Sequence, residues 1–385
     1  MNINELKVEF VKIYGEGEVR SFNSPGRVNL IGEHIDYNGG YVFPCALEFG
    51  TFACVRKRND RKVNLASTNF DLKVEADLDD LVYKEEDDWA NYPKGVMKIM
   101  MEMGYAVEGM DILISGNIPN GAGLSSSASL ELLIGVIVNN LFNNKAIDQV
   151  DLVKIGQKAE NTFVGVNCGI MDQFAVGMGK KDKAILLDCN TLDYSYADVV
   201  LGDYSLVIMN TNKRRALNES KYNERRAECD EALEIIKSVK NIGALCELSV
   251  EEYKEVEKFL TKENVKNRVE HAVYENQRVK DAFKALNEGK LNEFGELLVG
   301  SHNSLRDLYE VTGKELDTIV EESIKTEGCI GARMTGAGFG GCAIAVVKKD
   351  CIDSFIQTVK ENYASKIGYE PSFYMSGIGE GTQEI

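Results

Sequence analysis

The segment SPGRVNLIGEHIDYNGG, residues 24–40, collects reactive side chains in a short span. Within ten positions it holds four of them: Arg27, Glu33, His34 and Asp36. Guanidinium, carboxylate and imidazole groups donate and accept the hydrogen bonds that a polar ligand needs. Because a charged loop between glycines costs stability unless it binds something, we interpret the segment as part of a binding site. A solvated charged turn is the alternative.

A second segment, GNIPNGAGLSSSASLELL (residues 116–133), has the composition of an anion-binding turn. Glycine lets the backbone approach an anion closely, and a helix start supplies unpaired N–H groups. The segment has neither the lysine of a Walker A loop nor the glycine spacing of a Rossmann loop. It predicts a phosphate cradle of another type, with a tight serine-capped turn as the alternative. Three successive hydroxyls also suit Mg²⁺, which prefers oxygen ligands.

The elements that position these segments follow a mixed pattern, typical of an α+β chain. Apolar runs predict strands at 41–57, 111–116, 184–189, 206–210 and 342–347. Periodic spacing predicts helices at 125–142, with serines at its N-cap, and at 151–163, 221–239, 250–260, 262–287 and 315–327. A length of 385 residues indicates two domains, which we place at 1–200 and 201–385. The last strand either stays in the second domain or returns to the first.

Composition excludes several classes of function. A net charge of −17 disfavours nucleic acid and anionic membrane surfaces as partners. No apolar run approaches the ~18 residues that cross a bilayer, and the first residues lack a secretory signal pattern. Nine scattered cysteines without a C-x-x-C pair, and three histidines, disfavour a disulfide framework or structural zinc. We expect a cytoplasmic monomer that binds small molecules.

A third glycine-rich segment, TGAGFGG (residues 335–341), completes an ordered set. Together the three segments resemble the GHMP kinase superfamily of small-molecule kinases, over about residues 24–341. GRVNLIGEHIDYNGG and CGIMDQF (residues 168–174) resemble the galactokinase group within it. The resemblance implies a two-domain GHMP kinase fold with the active site in the cleft between domains. It also implies transfer of the γ-phosphoryl group of ATP to the anomeric hydroxyl of D-galactose, giving galactose 1-phosphate and ADP, the first committed step of galactose catabolism (the Leloir pathway).

The resemblance also implies catalytic roles for two residues. Asp172 matches the aspartate that faces the attacking hydroxyl, and Arg27 matches the arginine that bridges this aspartate and the developing charge on the γ-phosphoryl group. An adjacent guanidinium favours the ionised carboxylate. This predicts late proton transfer to Asp172, although full abstraction before attack stays open from the sequence. A buried structural ion pair is the alternative interpretation of both residues.

The remaining residues implied by the resemblance fall into three groups. The sugar-binding residues are Glu33, His34, Ile35, Asp36 and Tyr222. The ATP-binding residues are Ser67, Gly121, Ala122, Gly123, Leu124, Ser125, Ser126 and Ser127, with Trp89 and Tyr92 in the adenine pocket. The Mg²⁺ ligands are Ser127 and Glu160. Segment 335–341 is expected to pack close to the phosphate loop and to shape the cleft, with a flexible turn as the alternative.

Two other functions stay open from the sequence. One is a kinase for a related sugar such as N-acetylgalactosamine, because the shape of the pocket around the sugar 2-position is not readable. The other is a galactose-sensing regulator on the same fold. The complete serine-rich loop, together with Arg27 and Asp172, favours an enzyme over a sensor. A mevalonate or homoserine kinase would leave GEHIDYNGG and CGIMDQF unexplained.

Overall fold

The computed structural model describes residues 2–119, 122–213 and 218–385, which form three β-sheets flanked by helices. The strands are β1 (Arg20–Asn29), β2 (Tyr41–Val42), β3 (Pro44–Lys57), β4 (Lys62–Ser67), β5 (Val74–Asp77), β6 (Met110–Gly116), β7 (Lys183–Asp188), β8 (Tyr194–Asp198), β9 (Tyr204–Asn210), β10 (Cys329–Thr335), β11 (Cys342–Lys348), β12 (Ser372–Met375) and β13 (Gln383–Glu384). The helices are α1 (Ile3–Tyr14), α2 (Asn91–Glu102), α3 (Ser126–Phe142), α4 (Gln149–Ala159), α5 (Met171–Met178), α6 (Asn218–Lys237), α7 (Val250–Val256), α8 (Glu263–Asn287), α9 (Leu291–Asp307), α10 (Lys314–Lys325) and α11 (Ile352–Ile367). This mixture confirms the expected α+β class.

The largest sheet has the order β13-β1-β3-β6-β4-β5 and is antiparallel except for the β4/β6 pair. Its β1/β3 register shifts between Pro25 and Arg27. Such an irregularity redirects the next side chain. A β-carbon on Gly26 would lie 2.7 Å from the carbonyl oxygen of Leu124, so glycine lets β1 approach the segment before α3.

Helix α3 lies inside the first half of the molecule and packs against α2, α4 and α5 on its sides and against β1 and β3. Thirteen of its seventeen residues are buried, because its sequence is apolar on every face. A helix held on all sides is a rigid support for its own N-terminus. The serine-rich turn at residues 125–127 is therefore fixed by the core.

The second half contains an antiparallel sheet of order β10-β11-β9-β12, against which α9 and α10 pack. The third sheet, β2-β7-β8, joins the end of segment 24–40 to the strands after α5. Strand β13 returns to the first sheet, where Glu384 pairs with Phe22 in register. The domain boundary near residue 200 stays a prediction. Within the described residues, no helix combines the length and apolar character needed to cross a membrane.

Helix α4 ends differently from the prediction of a continuous helix over 151–163. It ends at Ala159 and continues into one wide π-helical turn, Glu160–Val164. Gly165 closes this turn with a left-handed φ of 91°. Wide turns of this kind often occur at functional sites because they redirect one side chain. The residue redirected here is Glu160.

Candidate active site

A cavity of about 300 Å³ opens where four distant parts of the chain meet. Its walls come from segment 24–40, from residues 160–172 around the start of α5, from α6, and from segment 335–341. It includes seven of the residues predicted from the sequence: Arg27, Glu33, His34, Asp36, Glu160, Asp172 and Tyr222. The first and last thirds of the chain therefore contribute to one chemical site.

An ion pair between Arg27 and Asp172 forms part of the cavity wall. The guanidinium donates from Nε and Nη2 to the two carboxylate oxygens of Asp172, each at 2.7 Å. Oγ of Ser125 donates to Oδ2 of Asp172 at 2.5 Å. Arg27 is buried, whereas the Asp172 side chain is 31% exposed. Bidentate pairing fixes a carboxylate in orientation as well as charge, so Asp172 is a rigid acceptor that a ligand in the cavity can reach.

Arg27 also holds the serine-rich loop. Its Nη1 donates to the carbonyl oxygen of Gly123 at 2.9 Å, and its backbone N–H donates to that of Leu124 at 3.1 Å. Ser125 has a left-handed φ of 61°, and its side chain does not cap α3. Ser125 is therefore the N-cap residue, as predicted, but it makes no capping hydrogen bond, because its hydroxyl is committed to Asp172 instead.

The other residues predicted for the phosphate cradle contribute unequally. Ala122 and Leu124 are buried in the core, so their side chains face away from a ligand. Gly123 is half-buried, Ser126 is exposed and Ser127 is half-buried at the first turn of α3. Gly121 lies outside the described residues. What α3 presents outward is its N-terminal backbone, which carries positive partial charge.

Asp36 lies against a glycine. A β-carbon on Gly169 would be 1.8 Å from Oδ2 of Asp36, so any other residue at position 169 would displace this carboxylate. Burial, together with the charge of Asp172, raises the pKa of Asp36 to about 6. Two carboxylates therefore share one side of the cavity, and a hydroxyl-rich ligand would find two acceptors there.

Glu33 is buried and already paired within the protein. Gly336 N–H donates to Oε1 at 2.6 Å and Thr335 Oγ1 donates to Oε1 at 3.1 Å. Asn29 donates to Oε2, and Nη2 of Arg333 lies 3.2 Å from Oε2. Burial raises the pKa of Glu33, and the charge of Arg333 opposes this. The carboxylate thus links segment 24–40 to β10 as well as lining the cavity.

His34 has a left-handed φ of 63° and a buried ring. Its Nε2 lies 3.1 Å from the carbonyl oxygen of Ala337, and its Nδ1 lies 2.8 Å from the hydroxyl of Tyr37. Burial lowers the pKa of His34 to about 3, so the ring is neutral at physiological pH. Both ring nitrogens are therefore engaged by the protein itself.

Tyr222 and Ile35 differ in their access to the cavity. The ring of Tyr222 lies on the cavity wall, 5.6 Å from that of His34 and 5.7 Å from that of Tyr37 between centroids. Ile35 is fully buried among core side chains and does not line the cavity. The side chain of Ile35 thus supports the loop from behind, and its predicted sugar contact is not reproduced.

Glu160, the residue redirected by the wide turn, lies beside Ser127, whose hydroxyl lowers the pKa of the Glu160 carboxyl against the larger effect of burial, which raises it. Nε2 of Gln173 donates to Oε2 of Glu160 at 2.7 Å and to Oε2 of Glu131 at 2.9 Å. Burial raises the pKa of both glutamates, and each is raised further by a neighbouring carboxylate. Among the described residues, Oε1 of Glu131 has no hydrogen-bond partner.

A second cavity of about 190 Å³ lies on the other side of the serine-rich turn. It is lined by Ser126 and Ser127 and by the residues predicted for an adenine pocket, Ser67, Trp89 and Tyr92. Glu160 lines the first cavity and Ser127 the second, so the neighbouring side chains of this pair lie between the two cavities. Two ligands bound side by side would meet at this pair.

The third glycine segment approaches the serine-rich loop closely. A β-carbon on Gly336 would lie 3.3 Å from the carbonyl oxygen of Gly123, and the φ of Gly336 is 86°. Both facts favour glycine at position 336. The segment therefore contacts the loop, as the resemblance implied, and holds Glu33 at the same time.

Three family models match the chain in this order along its length. The galactokinase galactose-binding signature matches residues 8–57, the GHMP kinases N terminal domain matches residues 91–180, and the GHMP kinases C terminal model matches residues 282–365. The chain is 66% identical to the galactokinase of Clostridium tetani over 100% of this chain and 98% of the relative. It belongs to the galactokinase family. Segment 24–40, which lines the first cavity, lies inside the part matched by the galactose-binding signature.

Other members of the galactokinase family agree with this assignment. The galactokinase of Fusobacterium nucleatum is 53% identical over the full length of both chains. A solved structure of Lactococcus lactis galactokinase complexed with galactose superposes with a TM-score of 0.97 at 50% identity, covering both chains completely. A mevalonate kinase from Methanococcus jannaschii, at 18% identity, a TM-score of 0.68 and coverage of 94% and 99%, has the same fold. The GHMP kinase fold is therefore confirmed.

Several residues of the site in this galactokinase-family chain were not predicted from its sequence. Gly169 and Gln173 lie in CGIMDQF, close in sequence to Asp172. This proximity could have identified them as site residues. Tyr309 lies just after a helix and far from the motifs, whereas Arg333 lies on β10, two residues before the third glycine-rich segment but outside it. No local pattern distinguishes them, and only the folded structure brings them to the site.

Proposed function

We propose that this chain phosphorylates D-galactose, transferring the γ-phosphoryl group of ATP to the anomeric hydroxyl to give galactose 1-phosphate and ADP. The observation that carries the proposal is the position of the Arg27–Asp172 pair in a cavity walled by segment 24–40. The galactose-binding signature covers that segment. Full-length identity of 66% to a galactokinase, and a near-identical fold in a galactose complex, support the same sugar.

The sugar occupies the first cavity in this proposal. Asp36 accepts hydrogen bonds from ring hydroxyls, and the phenol of Tyr222 packs beside the ring. Glu33 and His34 are largely satisfied by protein groups, so we assign them chiefly to shaping the cavity wall. Ile35 contributes through its backbone, since its side chain is buried in the core.

Asp172 orients the attacking hydroxyl. Its two oxygens already accept three hydrogen bonds, from Arg27 and Ser125. These donors hold the carboxylate in a fixed orientation, so Asp172 positions the hydroxyl and receives its proton late in the transfer. The new bond joins the anomeric oxygen to the γ-phosphorus as the bond from that phosphorus to the bridging oxygen of ADP breaks. Arg27 keeps positive charge next to the transferring group.

ATP binds across the serine-rich turn. We place adenine in the second cavity near Ser67, Trp89 and Tyr92, and the β- and γ-phosphates at residues 121–127. The N-terminus of α3 attracts anions through its unpaired N–H groups and its dipole. The Nε1 of Trp89 is buried and has no hydrogen-bond partner among the described residues, which leaves a donor for a ligand.

Mg²⁺ fits between the two cavities with Ser127 and Glu160 as protein ligands. The hydroxyl and carboxylate are the oxygen donors that this ion prefers. Within the described residues, no group of three or more His, Cys, Asp and Glu side chains is arranged to hold a metal ion. The phosphates and water therefore complete the coordination, as is usual for Mg²⁺ bound with a nucleotide. When bound, the ion neutralises charge on the phosphates.

The reaction is tested by measuring ADP release with ATP and Mg²⁺ over a panel of free sugars that includes galactose, N-acetylgalactosamine and glucose. We expect turnover with galactose and its abolition in Asp172→Asn, while ATP binding by calorimetry is retained. Preferred turnover of N-acetylgalactosamine would identify the related-sugar kinase. Galactose and ATP binding without any turnover would identify a sensor. An Asp172→Asn variant with most of its kcat would remove this residue from the reaction.

The setting of the reaction is also part of the proposal. We propose that the protein works in the cytoplasm as a monomer on free galactose and ATP, without nucleic acid or membrane partners. The net charge of −17 supports the absence of nucleic acid and membrane partners, because it repels other polyanions. The domain division at residue 200 belongs to the same proposal, with the sugar site between the two parts.

A further inference from the structure

A closed ring of hydrogen bonds lies behind the sugar cavity and contains groups from both halves of the chain. From segment 24–40 it takes His34, Tyr37 and Asn38. From the second half it takes Cys229, on α6, and Tyr309, which follows α9. The hydroxyls of Tyr37 and Tyr309 lie 2.9 Å apart, and Sγ of Cys229 lies 3.0 Å from the hydroxyl of Tyr309.

The direction of each hydrogen bond follows from which of its two groups can donate a proton. The carbonyl oxygen of Ala337 can only accept, so Nε2 of His34 carries the proton of the neutral ring. Nδ1 is then an acceptor and takes the hydroxyl proton of Tyr37 at 2.8 Å. The hydroxyl of Tyr37 has one proton, so it must accept from Tyr309.

The remaining bonds connect Tyr309 through Cys229 to Asn38. Because Tyr309 has given its proton to Tyr37, it accepts from the thiol of Cys229. The sulfur accepts in turn from Nδ2 of Asn38 at 3.6 Å, and this amide also donates to the backbone oxygen of His34 at 2.9 Å. The ring closes on the residue where it began. The four bonds from Asn38 through Cys229, Tyr309 and Tyr37 to Nδ1 of His34 run in one direction, and hydrogen bonds aligned in this way strengthen one another. The bond from Asn38 to the backbone oxygen of His34 closes the ring from the other side.

The second half holds the two tyrosines from outside the ring. The Arg226 guanidinium lies over the ring of Tyr37, 5.5 Å from its centroid, and Nε of Arg225 donates to the backbone oxygen of Tyr309 at 2.8 Å. His34 needs such support, because a left-handed φ of 63° is unfavourable for a residue with a side chain. Without the ring, the loop between Glu33 and Asp36 would relax.

We propose that Tyr309 and Cys229 are positioning residues for the sugar, because they fix His34 as its Nε2–H tautomer and thereby the loop that carries Glu33 and Asp36. This inference rests on the proposed function, since it concerns the binding of the same sugar. Burial holds the pKa of His34 near 3 and raises those of Tyr37 and Tyr309 well above the ordinary value. The four aligned bonds therefore keep their direction across the physiological pH range.

Steady-state kinetics of two variants test the role. In Tyr309→Phe the aromatic ring stays but the link from Cys229 to Tyr37 is cut. We expect KM for galactose to rise about tenfold, with KM for ATP within about twofold, because a buried hydrogen bond is lost next to one substrate only. Tyr363→Phe is the matched control, since Tyr363 is buried and donates to the backbone oxygen of Thr211 outside the site. It should lose stability while keeping KM for galactose.

Cysteine variants provide a rescue. Cys229→Ala removes the donor to Tyr309, and we expect KM for galactose to rise about threefold, whereas Cys229→Ser restores a donor and should return it to the wild-type value. The proposal is overturned if Cys229→Ala and Tyr309→Phe keep the wild-type KM for galactose, or raise KM for both substrates equally. The proposal is also overturned if Cys229→Ser does not restore the wild-type KM for galactose.

The tautomer of His34 can be measured by NMR, independently of catalytic activity. The chain contains three histidines, so ¹⁵N-histidine labelling gives three imidazoles, and a spectrum of a His34→Gln variant assigns the one of interest. We expect His34 as Nε2–H, unchanged between about pH 6 and 9, with its Nδ1 signal shifted in Tyr309→Phe. An Nδ1–H form would refute the ring. A wild-type protein that phosphorylates no galactose, but has this spectrum, would refute the proposed function and not the ring.

Discussion

At the scale of single residues, the proposed sugar site depends on an absent side chain. Asp36 reaches its position only because Gly169 has no β-carbon, and the two residues lie on separate segments that meet at the cavity. The same contact brings Asp36 towards Asp172, whose charge contributes to the raised pKa of Asp36. Spacing two carboxylates on one wall gives acceptors for neighbouring hydroxyls of a ring. A glycine thus determines the geometry of an anionic pair.

Gly169→Ala tests this arrangement. The added methyl group would overlap Oδ2 of Asp36, so the carboxylate must rotate away while the rest of the fold stays intact. We expect KM for galactose to rise at least about tenfold, since a hydrogen bond to a charged group is lost. Gly300→Ala is the control, because its nearest neighbour would be Cδ of Arg278 at 3.7 Å, an ordinary contact. Equal KM values for the two variants would contradict the role of Gly169.

At the scale of elements, the start of α3 lies between the two cavities proposed for the substrates. The loop before it is bound by Arg27 through two carbonyl oxygens, and Ser125 connects it to Asp172. The hydroxyl expected to cap the helix is used to orient a carboxylate instead. The N-terminus of α3 is left for an anionic ligand, which is what phosphate binding at a helix start requires.

Ser125→Ala and Ser125→Gly separate the hydroxyl from the backbone. Both remove the donor to Asp172, but glycine adopts a left-handed φ without strain whereas alanine does not. We expect kcat to fall about tenfold to a hundredfold in both, because a hydrogen bond to a charged group is lost. The alanine variant alone should lose thermal stability. Wild-type kcat in the glycine variant would show that the hydroxyl does not assist Asp172.

Sequence patterns predicted the elements that carry strong apolar periodicity and missed those that depend on packing. Helix α9 was missed, since Gly295 and Gly300 weaken its helical pattern. The structure explains Gly295: a β-carbon there would lie 2.1 Å from the backbone oxygen of Ile330, so only glycine lets α9 lie on β10. Site residues within the three glycine-rich segments were found through motifs. Arg333 and Tyr309 were not, because burial and pairing depend on residues hundreds of positions away.

At the scale of the whole molecule, the two ends of the chain are joined in one sheet. Strand β13 pairs with β1, and Arg20 donates from Nε and Nη2 to Glu384 at 2.6 and 2.7 Å. Further along β1, the hydroxyls of Ser24 and Thr382 lie 2.8 Å apart. These contacts stabilise the strand that leads to Arg27. The sugar site therefore depends on chain segments from both extremes of the sequence.

The Arg20–Glu384 pair predicts a dependence of stability on pH. Hydrogen bonding to Arg20 lowers the pKa of Glu384 to about 2 from an ordinary value of 4.5, so the pair contributes fully above about pH 4.5. Its contribution is lost as the pH falls from 4.5 towards 2. We expect Glu384→Gln to lower the free energy of unfolding by about 2 kcal/mol at pH 7, and by progressively less below pH 4.5.

Urea unfolding at pH 7, 5 and 4 measures this difference. Glu9→Gln is the control, because Glu9 forms an exposed pair with Lys12 that is worth less than about 1 kcal/mol. A deficit in Glu384→Gln that is constant with pH would assign the effect to packing, and no deficit at pH 7 would contradict the pair.

The pairing of β1 with β13 has a consequence for biosynthesis. The paired residues Phe22 and Glu384 are 362 positions apart, so a ribosome must translate all of the intervening chain before the outer margin of the first sheet is covered. During that interval β1 offers unsatisfied amide and carbonyl groups to any neighbouring polypeptide. Nascent chains of this protein are thus exposed to mispairing late in translation, and a chaperone that shields strand margins would raise the yield of folded enzyme.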